Sequence, residues 1–524
     1  MATSVALAAV VFLLLLTFVL WPVVTVLVVG VPGAMGPPPS FAPMLGNSLA
    51  VSAVSTAVTV LLALVVACAA TRTTVPGRRI LGLVRFLPVV SPPFLVSLAL
   101  ILLAGPTGVV TRSLGLHWDI DGFHGIVVAQ VLTFLPHAYS RLAGALGSVD
   151  PALEAAAESL GAGPLMTLRR VTLVLVRPGL ASASLTVFVL CMTDFANPIL
   201  VGGRVRMLTT EIYAHMARLN DVTAASALSV ILMAPCLAAY LINTCWVGAR
   251  ANPTVSADAR TALRPTPAVV RWPLFAVSGG IVGVIAVLYA VVPLVFLARL
   301  WGGDGVLSDA WPVWDSVKLA LLCGVAGTSL ALVAASVIAR RRPWGARALE
   351  SLALLPAALP GIVIGVGYVL AFGGPPLRMA GTIWGLVAAV VFWKLPVALP
   401  TAVSALRRID PALEEAATNL GAGTVRTFTR VVLPLLTGAA LSIFVSFFVD
   451  GMVAVSAVVF LTHPGLRLGS VAILEQVVGG SLDAACTLAT GILAIALGSV
   501  LLLRAVGGGG AAALLETGWR RSAT

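Results

Sequence analysis

The stretch Asp150-Pro151-Ala152-Leu153-Glu154-Ala155-Ala156-Ala157, followed by Leu160-Gly161-Ala162-Gly163, returns 260 positions later. The second copy reads Asp410-Pro411-Ala412-Leu413-Glu414-Glu415-Ala416-Ala417, followed by Leu420-Gly421-Ala422-Gly423. In each copy an Asp suited to capping a helix precedes a Pro at the first helical position, where the missing N–H costs nothing. The Gly pair then ends that helix, and Pro164 or Thr424 can begin the next, so each copy reads as a helix-turn-helix outside the bilayer. A single hairpin of this kind would read as a solvated connection between two spans. Its duplication favours a docking surface, with small Ala faces that a partner can approach closely.

Around these polar islands the chain is apolar. Of its 524 residues 59% are hydrophobic and 10% charged, and its mean hydropathy is +1.07. This lies outside the range of soluble domains and inside that of polytopic membrane proteins, so the expected fold class is all-α and membrane-spanning. Apolar runs bounded by charge, Gly and Pro place first-half spans at roughly 6–30, 47–70, 82–104, 124–146, 179–202 and 223–247. Second-half spans fall at roughly 273–299, 315–338, 350–373, 382–404, 436–461 and 481–505, giving about twelve helices in all. The apolar N-terminal run has no Lys or Arg before it and is longer than a signal-peptide core, so it reads as a retained span. All six cysteines lie in apolar runs without a C-x-x-C pair, and read as small buried hydrophobes.

The net charge of +12 reads as loops facing anionic lipid and not as a nucleic-acid surface. With the N-terminus inside, Arg72, Arg78, Arg79, Arg169, Arg170, Arg340, Arg341, Arg407, Arg408, Arg426 and Arg430 fall in cytoplasmic loops, and the outer loops hold fewer cations. Both repeated hairpins then face the cytoplasm, as do both termini of a multi-pass protein of the inner (plasma) membrane. The duplication extends further: Asn47-Ser48 opens the second span as Asp315-Ser316 opens the eighth, and Leu87-Pro88 reappears as Leu355-Pro356. The expected division is a first half at 1–248, with its hairpin at 150–175, and a second half at 272–505, with its hairpin at 410–435. A Pro, Ala, Thr and Arg-rich cytoplasmic linker at 249–271 joins them, and a cytoplasmic tail occupies 506–524. Six spans per half relate the two repeats by an axis along the membrane normal, in parallel orientation. Trp246, Trp272, Trp301, Trp311 and Trp314 fall near span ends, as interfacial anchors do.

The hairpins carry a resemblance. Glu415-Ala416-Ala417, Gly421, Val431 and Leu433-Pro434 resemble the E-A-A signature of the membrane subunits of binding-protein-dependent ABC importers. Ala155-Ala156-Ala157, Gly161, Val171 and Leu173 keep its spacing, but Ala155 stands at the signature Glu, Glu154 lies one residue earlier, and Val174 replaces the Pro. The resemblance implies a type I importer permease fold in which each hairpin, through Glu154, Ala155, Ala156, Ala157 and Gly161 or Glu414, Glu415, Ala416, Ala417 and Gly421, docks one of two ATP-binding cassette subunits. It implies a soluble substrate-binding protein on the outer face and no enzymatic activity in this chain. Nucleotide and Mg would sit on the partner ATPase: neither lysine, Lys318 or Lys394, stands in the Gly-Lys-Ser/Thr of a phosphate-binding loop, and no cofactor is expected on this chain.

Two acidic residues fall inside predicted spans at equivalent places, Asp194 after Leu185-Thr186-Val187-Phe188 and Asp450 after Leu441-Ser442-Ile443-Phe444. A charge at mid-membrane costs about 2.5 to 3.5 kcal/mol on insertion scales, so each either lines the translocation pathway or is paired in helix packing. Lys394, whose counterpart is Phe134, either neutralises Asp450, snorkels, or meets substrate. Asp194-Phe195-Ala196-Asn197-Pro198 with Gly202-Gly203 resembles fused permeases of the ferric-iron group. The segment from Phe447 to Asp450 with Ser456-Ala457-Val458-Val459-Phe460-Leu461 is similar to that group and to the 2-aminoethylphosphonate group. These favour iron or phosphonate cargo over sugars, with thiamine and polyamine relatives behind. The five histidines are scattered without metal-site spacing, and no hydrolase or paired-carboxylate arrangement stands out. An ion-driven transporter of the major-facilitator type would share the twelve-span, two-half layout but would need no ATPase.

Overall fold

The computed structural model describes residues 2–36, 41–83, 92, 94–106, 108–115, 120–247, 268–302, 311–341, 346–463 and 465–506. These are helical almost throughout, and the one β pairing among them is an isolated bridge between His463 and Leu466. The linker at 249–271 and the tail at 506–524 fall almost entirely outside the described residues. Among those described, nine helices are long and apolar enough to cross a membrane, or up to eleven if each of two bent pairs is one span. The 25-residue helix Phe123–Gly147 occupies the place of the fourth expected span. It is not among the eleven, since His124, Gln130, His137 and Arg141 dilute its apolar character.

Three expected spans are built differently. The one expected at 350–373 is a pair, Ala346–Ala358 and Gly361–Phe372, bent by 113°. Pro356 and Pro360 flank the bend, and neither supplies an N–H to continue the ladder. The one expected at 436–461 begins inside the second hairpin: Val425–Leu435 and Thr437–Val453 meet at 81°, two residues after Pro434. In the first copy, where Val174 replaces that Pro, Leu165–Met192 runs as a single span of 28 residues. This span ends at Met192, not at 202, and the short helix Ala196–Val201 follows a break.

The compact units of the structure are a different division of the chain from the sequence repeats. One unit comprises Pro38–Glu211 and Ala234–Asp304; the other comprises Met1–Pro37, Ile212–Met233 and Gly305–Thr524. In the former, Val60, Ala63 and Ala67 meet Leu135, Ala138, Leu142 and Leu146, and Ile285 from Ala268–Gly302 closes that core. Ala and Ser on the Phe41–Arg72 helix let backbones approach, the usual means of helix packing in lipid. In the latter, Phe18 of the N-terminal helix stacks on Phe392, and its carbonyl accepts from Tyr368 Oη at 2.9 Å. Gly327 is required here, since a Cβ would lie 2.5 Å from the Phe447 ring. Each sequence repeat therefore gives its first apolar helix to the unit built mainly by the other.

Within the units the duplication is exact down to single hydrogen bonds at one end. Ser48 Oγ accepts from Leu208 N at 2.9 Å, and Ser316 Oγ accepts from Gly469 N at 2.9 Å. Both hydroxyls satisfy an amide at the start of a short helix, Leu208–Ala217 or Gly469–Val478, which would otherwise lack a partner.

Candidate functional site

The two repeated hairpins fold alike. Asp150 Oδ1 accepts from Ala152 N at 2.9 Å, and Asp410 Oδ1 from Ala412 N at 3.0 Å, capping helices Pro151–Ser159 and Pro411–Asn419. Both helices end at a Gly in the left-handed region, Gly161 at φ +87° and Gly421 at φ +81°. Around each, amides bond back to three carbonyls of the last turn: Leu160, Gly161 and Ala162 to Ala156, Glu158 and Ala157, then Leu420, Gly421 and Ala422 to Ala416, Thr418 and Ala417. These bonds satisfy the helix end without an outside partner, so each hairpin is preformed.

What the hairpins present is apolar. Leu160 and Leu420, at the tips, are 89% and 88% exposed, and Leu153, Leu165, Leu413 and Val425 are exposed beside them. Ala155, Ala156, Glu415 and Ala416 are exposed as well, while Ala157 and Ala417 are half-buried. The two hairpins thus carry matched crests of exposed Leu on otherwise polar helices.

Each hairpin is tied down by an arginine that the sequence reading did not single out. Arg72, the last residue of Phe41–Arg72, places Nη1 2.8 Å from Glu154 Oε2 and donates from Nη2 to Leu146 O. Thr172 Oγ1 donates to the other Glu154 oxygen, and Arg72 and Glu154 are both buried. In the second copy Arg340 Nε lies 2.8 Å from Glu414 Oε1, and Arg340 Nη2 donates to Leu406 O and Ile409 O. Here the Nε–H is not aligned on the carboxylate, Val432 stands where Thr172 donated, and Glu414 is 29% exposed. A cavity of about 100 Å³ opens beside this pair, lined in part by Arg340, Glu414, Thr427 and Val432. The signal for both arginines lay in the repeat itself: Arg72 and Arg340 are 268 apart, as are Ser48 and Ser316.

The intramembrane charges divide. Asp194 does not lie within a helix; it sits in the break between Leu173–Met192 and Ala196–Val201. Its carboxylate accepts from Gln130 Nε2 at 3.1 Å, Asn197 Nδ2 at 2.8 Å, Ala196 N at 3.1 Å and Asn197 N at 3.3 Å. Thr209 Oγ1 and Ser97 Oγ extend this buried network, bonding Asp194 O and Asn197 Oδ1. Asp450, inside Thr437–Val453, meets Lys394 Nζ at 2.9 Å, and that ammonium lies 4.4 Å from the Trp393 ring centre. Lys394 and Asp450 keep 27% and 21% of their side-chain surface accessible. The structure thus brings Lys394 and Asp450 together, while Asp194 is satisfied by neutral groups alone.

Among the described residues, no group of three His, Cys, Asp or Glu comes close enough to hold a metal ion. The six cysteines are free, but Cys68 is only half-buried and Cys245 is exposed, contrary to the expectation that all six are buried; Cys245 is the outlier. It belongs to an apolar helix, Val222–Val247, where contact with lipid suits a thiol as well as contact with protein.

Residues 327–507 match the sequence family described as binding-protein-dependent transport system inner membrane component. The chain is 32% identical over 442 residues to a ferric transport system permease of Actinobacillus pleuropneumoniae, a match spanning 80% of this chain and 63% of that protein. Less than two thirds of that relative's length is therefore represented. A molybdenum transport system permease of Mycobacterium bovis is 32% identical, over 36% of this chain and 72% of its own length. A putative 2-aminoethylphosphonate transport system permease of Salmonella paratyphi A is 28% identical, over 35% of this chain and 71% of its own.

Proposed function

The chain belongs to the family of binding-protein-dependent transport inner-membrane components, and from that premise we propose that it is the pore-forming subunit of an ATP-driven importer. Its two sequence halves, 1–248 and 272–505, each supply one hairpin to one ATP-binding cassette subunit. Both hairpins and both termini face the cytoplasm, and a soluble binding protein delivers cargo to the opposite face. ATP and Mg are held by the partner ATPase, and this chain contributes no catalytic group. Closure of the ATPase pair pushes the hairpins, and the helices continuous with them, toward an outward-open state, a two-state shift biased from both faces. The observation that carries this reading is the pair of matched, preformed hairpins with exposed Leu crests.

The favoured cargo is ferric iron or a phosphonate-type anion, in keeping with the relatives named for those solutes, with thiamine or a polyamine next. Lys394 and Asp450 face the translocation path, since an ion pair with accessible surface at membrane depth is stabilised by water and not by lipid. Asp194 serves packing. Uptake of labelled ferric iron and of 2-aminoethylphosphonate by cells expressing the chain with its binding protein and ATPase tests the cargo. Uptake of neither, with uptake of another solute, would replace the cargo but leave the importer reading intact. ATP-independent uptake driven by an ion gradient would remove that reading.

A further inference from the structure

We propose that Arg72 and Arg340 are positioning residues that set the two hairpins for coupling, and that they do so unequally: the first hairpin is locked and the second is held loosely. This rests on the reading of the hairpins as ATPase sockets.

Arg72 ends the Phe41–Arg72 helix, donates to the carboxylate of Glu154 on the hairpin, and donates to Leu146 O at the end of Phe123–Gly147. Arg340 forms an ion pair with Glu414 and donates to Leu406 O and Ile409 O, near the end of Ile383–Arg407. One planar fork thus fastens a hairpin to two membrane helices, a task that needs several fixed donors and that a lysine could not perform. The repetition of this arrangement in both halves, from residues 268 apart on the arginine side and 260 apart on the glutamate side, is independent evidence that it is built and not incidental. It also explains why Glu154 and Glu414, and not the signature position, are the acidic residues common to both copies.

The two latches differ in burial. At the first, both carboxylate oxygens are occupied, one by Arg72 and one by Thr172, and the pair is 7% and 3% exposed. A buried ion pair whose carboxylate oxygens are both occupied opens rarely, because opening leaves two charges without partner or hydration. At the second, Val432 offers no hydroxyl, the Arg340 Nε–H misses the carboxylate, and buried Thr427 Oγ1 has no protein partner. The adjoining cavity of about 100 Å³ has room for several waters, which can solvate Glu414 when it leaves Arg340. The second hairpin, the fuller match to the docking signature, is thus the one free to shift with its partner, and the bend between Val425–Leu435 and Thr437–Val453 follows directly behind it.

Hydrogen exchange followed by mass spectrometry, on the full chain in nanodiscs without any partner, tests the latches apart from the sockets. Peptides covering 153–162 should exchange about tenfold more slowly than those covering 413–422, and Thr172→Val with Val432→Thr should reverse that order. Arg72→Met should speed exchange in the first hairpin by at least about tenfold, and Arg72→Lys, which keeps the charge but not the fork, should recover it only in part. Equal exchange of the two wild-type hairpins, or no reversal by the reciprocal Thr and Val exchange, overturns the proposal. The reciprocal pair alters one methyl and one hydroxyl, so it keeps the test open if the Arg variants fail to fold. Transport per ATP hydrolysed, measured with the ATPase present, should fall in Arg72→Met at unchanged ATPase binding. Altered exchange with unaltered transport per ATP would overturn the coupling role of the latches, whereas a chain that binds no ATPase at all would remove the socket reading instead.

Discussion

Replacing Asp194 by Ala separates a packing role from a pathway role. The carboxylate accepts four hydrogen bonds, two from backbone amides that open the Ala196–Val201 helix and two from Gln130 and Asn197. Losing the cap costs about 0.5 to 2 kcal/mol. The two side-chain donors keep second partners, Gln130 at Cys191 O and Asn197 at Thr133 Oγ1, so their loss adds only about 1 kcal/mol each. The sum is about 2.5 to 4 kcal/mol of destabilisation for Asp194→Ala. Asp450→Ala instead leaves Lys394 partly accessible and over the Trp393 ring, where losing a part-solvated pair costs about 1 kcal/mol or less. Unfolding of each variant by a graded denaturing detergent, beside uptake per folded molecule, reads both. Asp194→Ala should unfold earlier, and Asp194→Asn, which keeps an oxygen for the cap, should transport normally. Wild-type stability of Asp194→Ala together with lost uptake in Asp194→Asn would refute the packing argument and return Asp194 to the pathway.

Lys394→Met should lower uptake while changing stability by about 1 kcal/mol, and combining it with Asp450→Asn should recover part of the uptake, as a cycle on a coupled pair requires. Glu415→Ala should impair ATPase coupling more than Glu154→Ala at equal amounts of folded protein, because Glu415 is exposed on the docking face. Glu154→Ala should instead destabilise, by about 3 to 5 kcal/mol, since it leaves buried Arg72 without its carboxylate. Gly421→Val forces a β-branched residue to φ +81° at about 1 to 3 kcal/mol, and circular dichroism should show an intact fold while ATPase binding weakens.

Much of this was legible in the sequence because it is written locally. Asp150 and Asp410 cap, Gly161 and Gly421 turn, and the helices between them follow from residues within ten positions of one another. The helical, multi-span class follows equally from composition. What was not legible depends on partners far along the chain. A helix that is apolar on all sides, such as the one holding Phe18, carries no periodicity to say which repeat it joins, and here it joins the unit built by the other. Asp194 and Asp450 align in sequence, yet their fates differ because Gln130 and Asn197 surround one and Lys394 reaches the other. The bends behind Leu359 and Leu436 follow from prolines that are visible in the sequence, but apolar runs alone read through them. Arg72 and Arg340 read in the sequence as members of a basic loop, although their spacing repeats that of Ser48 and Ser316.

The central claim is that one copy of this chain engages two ATPase subunits through its paired hairpins. Native mass spectrometry of the complex purified from nanodiscs, with Leu160→Cys and Leu420→Cys each cross-linked to the ATPase in separate samples, measures this directly. The account predicts one chain with two ATPase subunits and a cross-link from either hairpin. A chain that purifies without an ATPase and transports without ATP, or one cross-linked through neither hairpin, would contradict it.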